Sequence, residues 1–111
     1  MADLTLPALS NFYGTEHYYD IWGIRITDGI KYIMDNGYSW FVTDALAVIR
    51  YKLRDAEFLV VRLANLKNNE CDLIIEDDGR VLHKQHYNYT DAEIEFKLWY
   101  VGGVLMLPSE Y

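Results

Sequence analysis

Near Glu57 the spacing of apolar residues changes from about 3.6 to about 2. That switch sets the layout: helices come first and strands follow. Residues 40–53 carry no Gly or Pro. At about 100° per residue, Phe41, Val42, Ala45, Leu46, Val48, Ile49 and Leu53 fall on one apolar arc. Only Lys52 interrupts it, and a lysine stem can lie along apolar surface. Two more helices are expected upstream. One covers residues 3–12, with Pro7 near its start. The other is opened by Thr27 or Asp28 as cap and closed by Asn36-Gly37. Ser39 is the expected cap of the central helix. Residues 15–27 are rich in aromatic and β-branched side chains, and Gly23 divides them into two short strands.

After Glu57 the chain reads as successive strands. Residues 58–66 form one, and residues 67–69 a turn. Residues 70–77 and 80–89 flank Asp78-Gly79, a pair that tolerates the positive φ angles of a two-residue hairpin turn. A plain turn pairs Asp77 with Arg80, Ile75 with Leu82 and Leu73 with Lys84, and sets Cys71 opposite His86. Residues 94–101 alternate, Gly102-Gly103 turns the chain into residues 104–107, and Pro108 stops it. The expected fold is one α+β domain over residues 1–111. About three N-terminal helices pack on one face of an antiparallel sheet of four to six strands.

Ten Lys and Arg stand against seventeen Asp and Glu, a formal charge of −7, and neither half of the chain is basic. Phosphate neutralisation needs clustered cations, so neither nucleic acid nor an anionic membrane is an expected partner. Steering favours a protein partner with a basic surface, and leaves room for a homodimer. No basic stretch followed by an apolar run opens the chain, so the cytoplasm is the expected location.

Groups that could do chemistry are few. His83 and His86 are three apart on a strand and point to opposite faces, so neither metal nor cofactor is expected. Cys71 is alone and is expected to be packed and inert. The chain has no phosphate loop, no His-Glu-x-x-His and no Gly-x-Ser-x-Gly, and no catalytic residue is assigned. Two binding surfaces are expected instead. One is an aromatic patch of Trp40, Asp44, Tyr51, His17, Tyr18 and Tyr19, with Trp22 in the same run of rings. The other is an acidic face of Asp72, Glu76, Asp77 and Asp78. The tail, Glu110 and Tyr111, is expected to fold back as a structural element. Its ring would lie on the helices, with its carboxylate or Glu110 paired to a cation such as Lys31 or Arg25.

Four segments carry a resemblance. They are Phe12-Tyr13-Gly14-Thr15-Glu16-His17-Tyr18-Tyr19, Thr27-Asp28-Gly29-Ile30-Lys31-Tyr32, Trp40-Phe41-Val42-Thr43-Asp44-Ala45 and Leu107-Pro108-Ser109-Glu110-Tyr111. In this order they resemble an uncharacterised family of short bacterial and phage proteins, a domain of unknown function. The family implies no activity and no catalytic residue. With the composition, it leads to a non-enzymatic, acidic protein-binding module. Such a module would occupy or inhibit a host protein of nucleic-acid handling or defence, in the host cytosol if phage-encoded. The alternative is a small-molecule binder or small enzyme with a Tyr, His and Asp pocket joining His17, Tyr32 and Asp44.

Overall fold

The computed structural model describes residues 14–111, so the helix expected over residues 3–12 lies outside them. Two short strands come first, β1 (Tyr19–Ile21) and β2 (Ile24–Ile26). One helical stretch of 26 residues follows, α1, residues 28–53. Then come β3 (Phe58–Lys67), β4 (Glu70–Asp77), β5 (Arg80–Tyr87), β6 (Phe96–Val101) and β7 (Val104–Met106), and a 3₁₀ turn at Pro108–Glu110. The strands form one sheet in the order β1-β2-β7-β6-β3-β4-β5. No helix among the described residues is long and apolar enough to cross a membrane.

This corrects the expected fold in two ways. The described residues hold one bent helix rather than separate ones, and the sheet is mixed and seven-stranded rather than antiparallel with four to six strands. Asn36-Gly37 does leave helical geometry, with φ of −106° and 103°, yet the chain resumes helix at once. Two residues are too few to carry it round, so the arm bends. The Trp40 indole N–H donates to the Gly37 carbonyl at 3.1 Å, and the Asn36 amide to the Tyr32 carbonyl at 2.7 Å. Ser39 does not cap: the position before the resumed helix is Tyr38, with no side-chain cap bond. The parallel pair is β2 with β7. Parallel neighbours need a long crossover, and here α1 and four strands lie between them.

The core lies between α1 and one face of the sheet. Leu59, Val61 and Leu63 of β3 point toward it, beside Leu73 and Ile75 of β4 and Phe96, Leu98 and Tyr100 of β6. From α1 come Ile30, Ile33, Phe41, Val42, Ala45, Leu46 and Ile49, all fully buried. Each large apolar side chain so buried stabilises the fold by about 1.5–3 kcal/mol.

The β4–β5 hairpin departs from the plain register. Asp77 pairs with Arg80 and Glu76 with Val81, but Ile75 then pairs with His83, Leu73 with Gln85 and Cys71 with Tyr87. Leu82 is therefore the extra residue of a β-bulge. The bulge flips every later side chain of β5 to the other face. Cys71 is thus not opposite His86, and burial pushes its thiol pKa up.

Candidate functional site

The start of α1 is a joint of three segments. Thr27 is the cap, its hydroxyl accepting from the Ile30 N–H at 3.4 Å. Asp28 turns back instead: its carboxylate accepts from the Glu16 N–H at 2.9 Å and the His17 N–H at 3.3 Å. Those bonds hold its pKa below the usual carboxylate range, the Glu16 N–H most of all. The Thr15 hydroxyl accepts from the Asp28 N–H at 2.9 Å. From the far end of the chain, Glu110 enters with 9% exposure. Its carboxylate accepts from the Thr27 hydroxyl at 2.6 Å, the Gly29 N–H at 3.0 Å and the Leu107 N–H at 2.9 Å. A Cβ at 29 would lie 2.5 Å from Leu107 Cδ1 and 2.6 Å from Glu110 Oε1, so any other residue there must displace both side chains.

The tail therefore folds back, but not onto the partners expected for it. Glu110 meets neutral donors at a helix start, where a carboxylate is favoured by the dipole. Lys31 pairs with Asp35 at 2.7 Å instead. The Tyr111 ring, 70% exposed, meets Trp99 edge-on at 5.5 Å on the strands and does not pack on α1.

The expected aromatic patch divides between the two edges of the sheet and the C-terminal end of α1, where Tyr51 stands exposed. Trp40 and Asp44 lie over β5: Trp40 packs edge-on against Tyr87 at 4.9 Å, and Asp44 accepts from the Tyr87 hydroxyl at 2.6 Å. Burial and Asp44 push the Tyr87 phenol pKa far up. His17, Tyr18 and Tyr19 sit at β1, the opposite edge. The Tyr19 hydroxyl donates to Asp28 at 3.3 Å, and the Arg25 guanidinium lies 6.0 Å from the Tyr18 ring. His17 and Asp44 therefore do not share a pocket. Two of the four residues of the expected acidic face, Glu76 and Asp72, are paired from within, while Asp77 and Asp78 lie at the β4–β5 turn. Glu76 accepts from Arg62 at 2.7 Å. Asp72 accepts from Asn65 at 2.8 Å and meets His86 at 2.6 Å. The other ring nitrogen of His86 meets Glu70 at 2.7 Å. Two carboxylates on one imidazole raise the His86 pKa above its ordinary value, Asp72 contributing most.

Of the large exposed side chains, Trp22, Tyr51, Phe58 and Val81 gather at one end of the molecule. The tight turns β1–β2, β4–β5 and β6–β7 lie there, beside the C-terminal end of α1. All three turns are two-residue and place their first residue at positive φ: 54° at Trp22, 51° at Asp78 and 57° at Gly102. Asp and Gly are suited to that geometry, whereas Trp is not. Trp22 is 47% exposed. Behind it, the Arg54 guanidinium lies against Gly23, Nη2 being 2.7 Å from where a Cβ would stand.

Residues 3–111 match the family of unknown function DUF6876. The chain belongs to that family. No curated protein and no solved structure matches it. In this DUF6876 chain, three of the segments on which the resemblance was drawn meet at the joint: Thr15-Glu16-His17, Thr27-Asp28-Gly29 and Leu107–Glu110. Their polar groups are consumed in holding α1 to the sheet. Sequence reasoning missed the role of Trp22 in its turn. The available signal was a bulky ring directly before Gly23, between two short strand-like runs.

Proposed function

We propose that this protein is a non-enzymatic binding module whose partner is another protein, met through the hairpin of β1 and β2. Its resemblance to bacterial and phage proteins extends the reading to a phage or mobile-element product that occupies a host protein. The observation that carries it is Trp22. Holding a bulky L-residue in the left-handed region costs roughly 1–2 kcal/mol. Trp22 stays 47% exposed, so burial of its ring offsets that cost only in part. Strain of this kind, kept at an exposed position, is a mark of function. Tyr18 and Tyr19 are exposed on the same hairpin. Trp and Tyr are the residue types that dominate binding hot spots.

The test is affinity capture from a bacterial lysate with the native chain and with Trp22→Ala, quantified by mass spectrometry. A specific partner retained by the native chain should fall at least tenfold with Trp22→Ala, since truncating a hot spot costs about 2 kcal/mol or more. The melting temperature of the variant should hold. Equal retention by both chains would overturn the reading.

A further inference from the structure

Four of the ten cations of this acidic chain line one cleft of about 520 Å³ between the end of α1 and the β4–β5 turn: Arg50, Lys52, Arg54 and Arg80. None of the four makes an ion pair among the described residues, a property shared only by Arg25, Lys67 and Lys97, which are spread over separate strands; Lys31, Arg62 and Lys84 each have a carboxylate partner. The negative end of the helix dipole accounts for Arg50 and Lys52 in the last turn. It does not account for Arg80, which comes from the hairpin, nor for Tyr51. That ring is 77% exposed with the Arg50 guanidinium 5.5 Å from its centre. Asp55 and Asp77 also line the cleft, so its walls balance at +2 in a chain of −7.

We infer that this cleft binds a short acidic segment of a protein, with Arg50 and Arg80 from its two walls meeting the carboxylates and Tyr51 covering the segment. The inference rests on the protein-binding reading, because Arg54 joins the cleft to Gly23 and so to the Trp22 turn. Charge complementarity selects an anion. The size of the cleft and the acidity around it select a short one. A nucleic-acid strand would have to continue over a surface that is net negative outside the cleft. A few Asp or Glu side chains would end within it. Arginine suits them, because its planar fork meets a carboxylate through two parallel bonds.

The experiment is fluorescence anisotropy at low salt, on the full chain. The probes are a labelled peptide with six consecutive Glu and a labelled single-stranded oligonucleotide of equal charge. Saturable peptide binding is expected, weakened at least tenfold by Arg50→Glu with Arg80→Glu and clearly reduced by the Gln pair. Both sites are exposed, and thermal unfolding checks that the variants fold. Oligonucleotide binding as tight as peptide binding, no peptide binding, or binding indifferent to both double variants would overturn the inference. If capture of the partner depends on Trp22 while the peptide fails to bind, the cleft inference falls and the hairpin reading stands. Charge-dependent peptide binding together with capture indifferent to Trp22→Ala means the reverse.

Discussion

Gly29→Ala sets helix propensity against the joint at the start of α1. Propensity alone predicts a gain, since Ala is favoured over Gly inside a helix by up to about 1 kcal/mol. The geometry predicts a loss. The new methyl would stand 2.6 Å from Glu110 Oε1 and 2.5 Å from Leu107 Cδ1, so the carboxylate must move out. Leu107 can change rotamer, but Glu110 cannot move without lengthening its 3.0 Å bond from the Gly29 N–H and disturbing those from Thr27 and Leu107. A hydrogen bond to a charged group contributes about 1.5–3 kcal/mol, so losing one and weakening two costs about 2–4 kcal/mol. After the propensity gain the net loss is about 1–3 kcal/mol. For a domain near this size that lowers the melting midpoint by roughly 5–15 °C. Thermal and urea unfolding of Gly29→Ala, Glu110→Ala and the double variant measure it. The double variant should lose less than the sum of the singles, because the clash is gone once Glu110 is gone. An unchanged or raised midpoint for Gly29→Ala would refute the account of the joint.

Tyr87→Phe removes the 2.6 Å donor to Asp44 and leaves it only the 3.5 Å contact from Gln85; a loss of about 1–2 kcal/mol is expected in urea unfolding, and none in the background of Asp44→Ala. His86 should titrate above the ordinary histidine value of about 6.5 by proton NMR and shift down in Asp72→Asn, Glu70 and Lys84 being the other charges at the site. Its raised folded pKa makes its contribution to stability complete below about pH 6.5 and lost as pH rises through the folded value. A midpoint at or below the ordinary value would show that the two carboxylate contacts do not persist in solution.

The core arc of α1 was legible because it depends on local period alone. Phe41, Val42, Ala45, Leu46 and Ile49 share a face whatever they pack against. The Asp78-Gly79 turn was legible for the same reason, and Asp77 does pair with Arg80. The bulge at Leu82 was not. Val81 and Leu82 are both apolar, so alternation fixes no register there, and only the reach of Tyr87 to Asp44 across space reveals the shift. The acidic face was legible only in part. Composition shows Asp72 and Glu76 but not the Arg62 and His86 that approach them from neighbouring strands. The parallel pairing of β2 with β7 depends on where two distant strands end up, which local patterning does not record. The cationic cleft joins a helix end to a hairpin, so its four cations look scattered in the sequence.

The bonds from Glu110 to Thr27 and Gly29 span 83 and 81 residues. A ribosome therefore delivers the first turn of α1 long before it delivers the carboxylate that completes it. Closing a loop of that length costs on the order of 4 kcal/mol in chain entropy, so the contact must follow assembly of the sheet rather than nucleate it. A released chain truncated before Leu107 is expected to pair β3, β4, β5 and β6 while the start of α1 stays open to water and to chaperones.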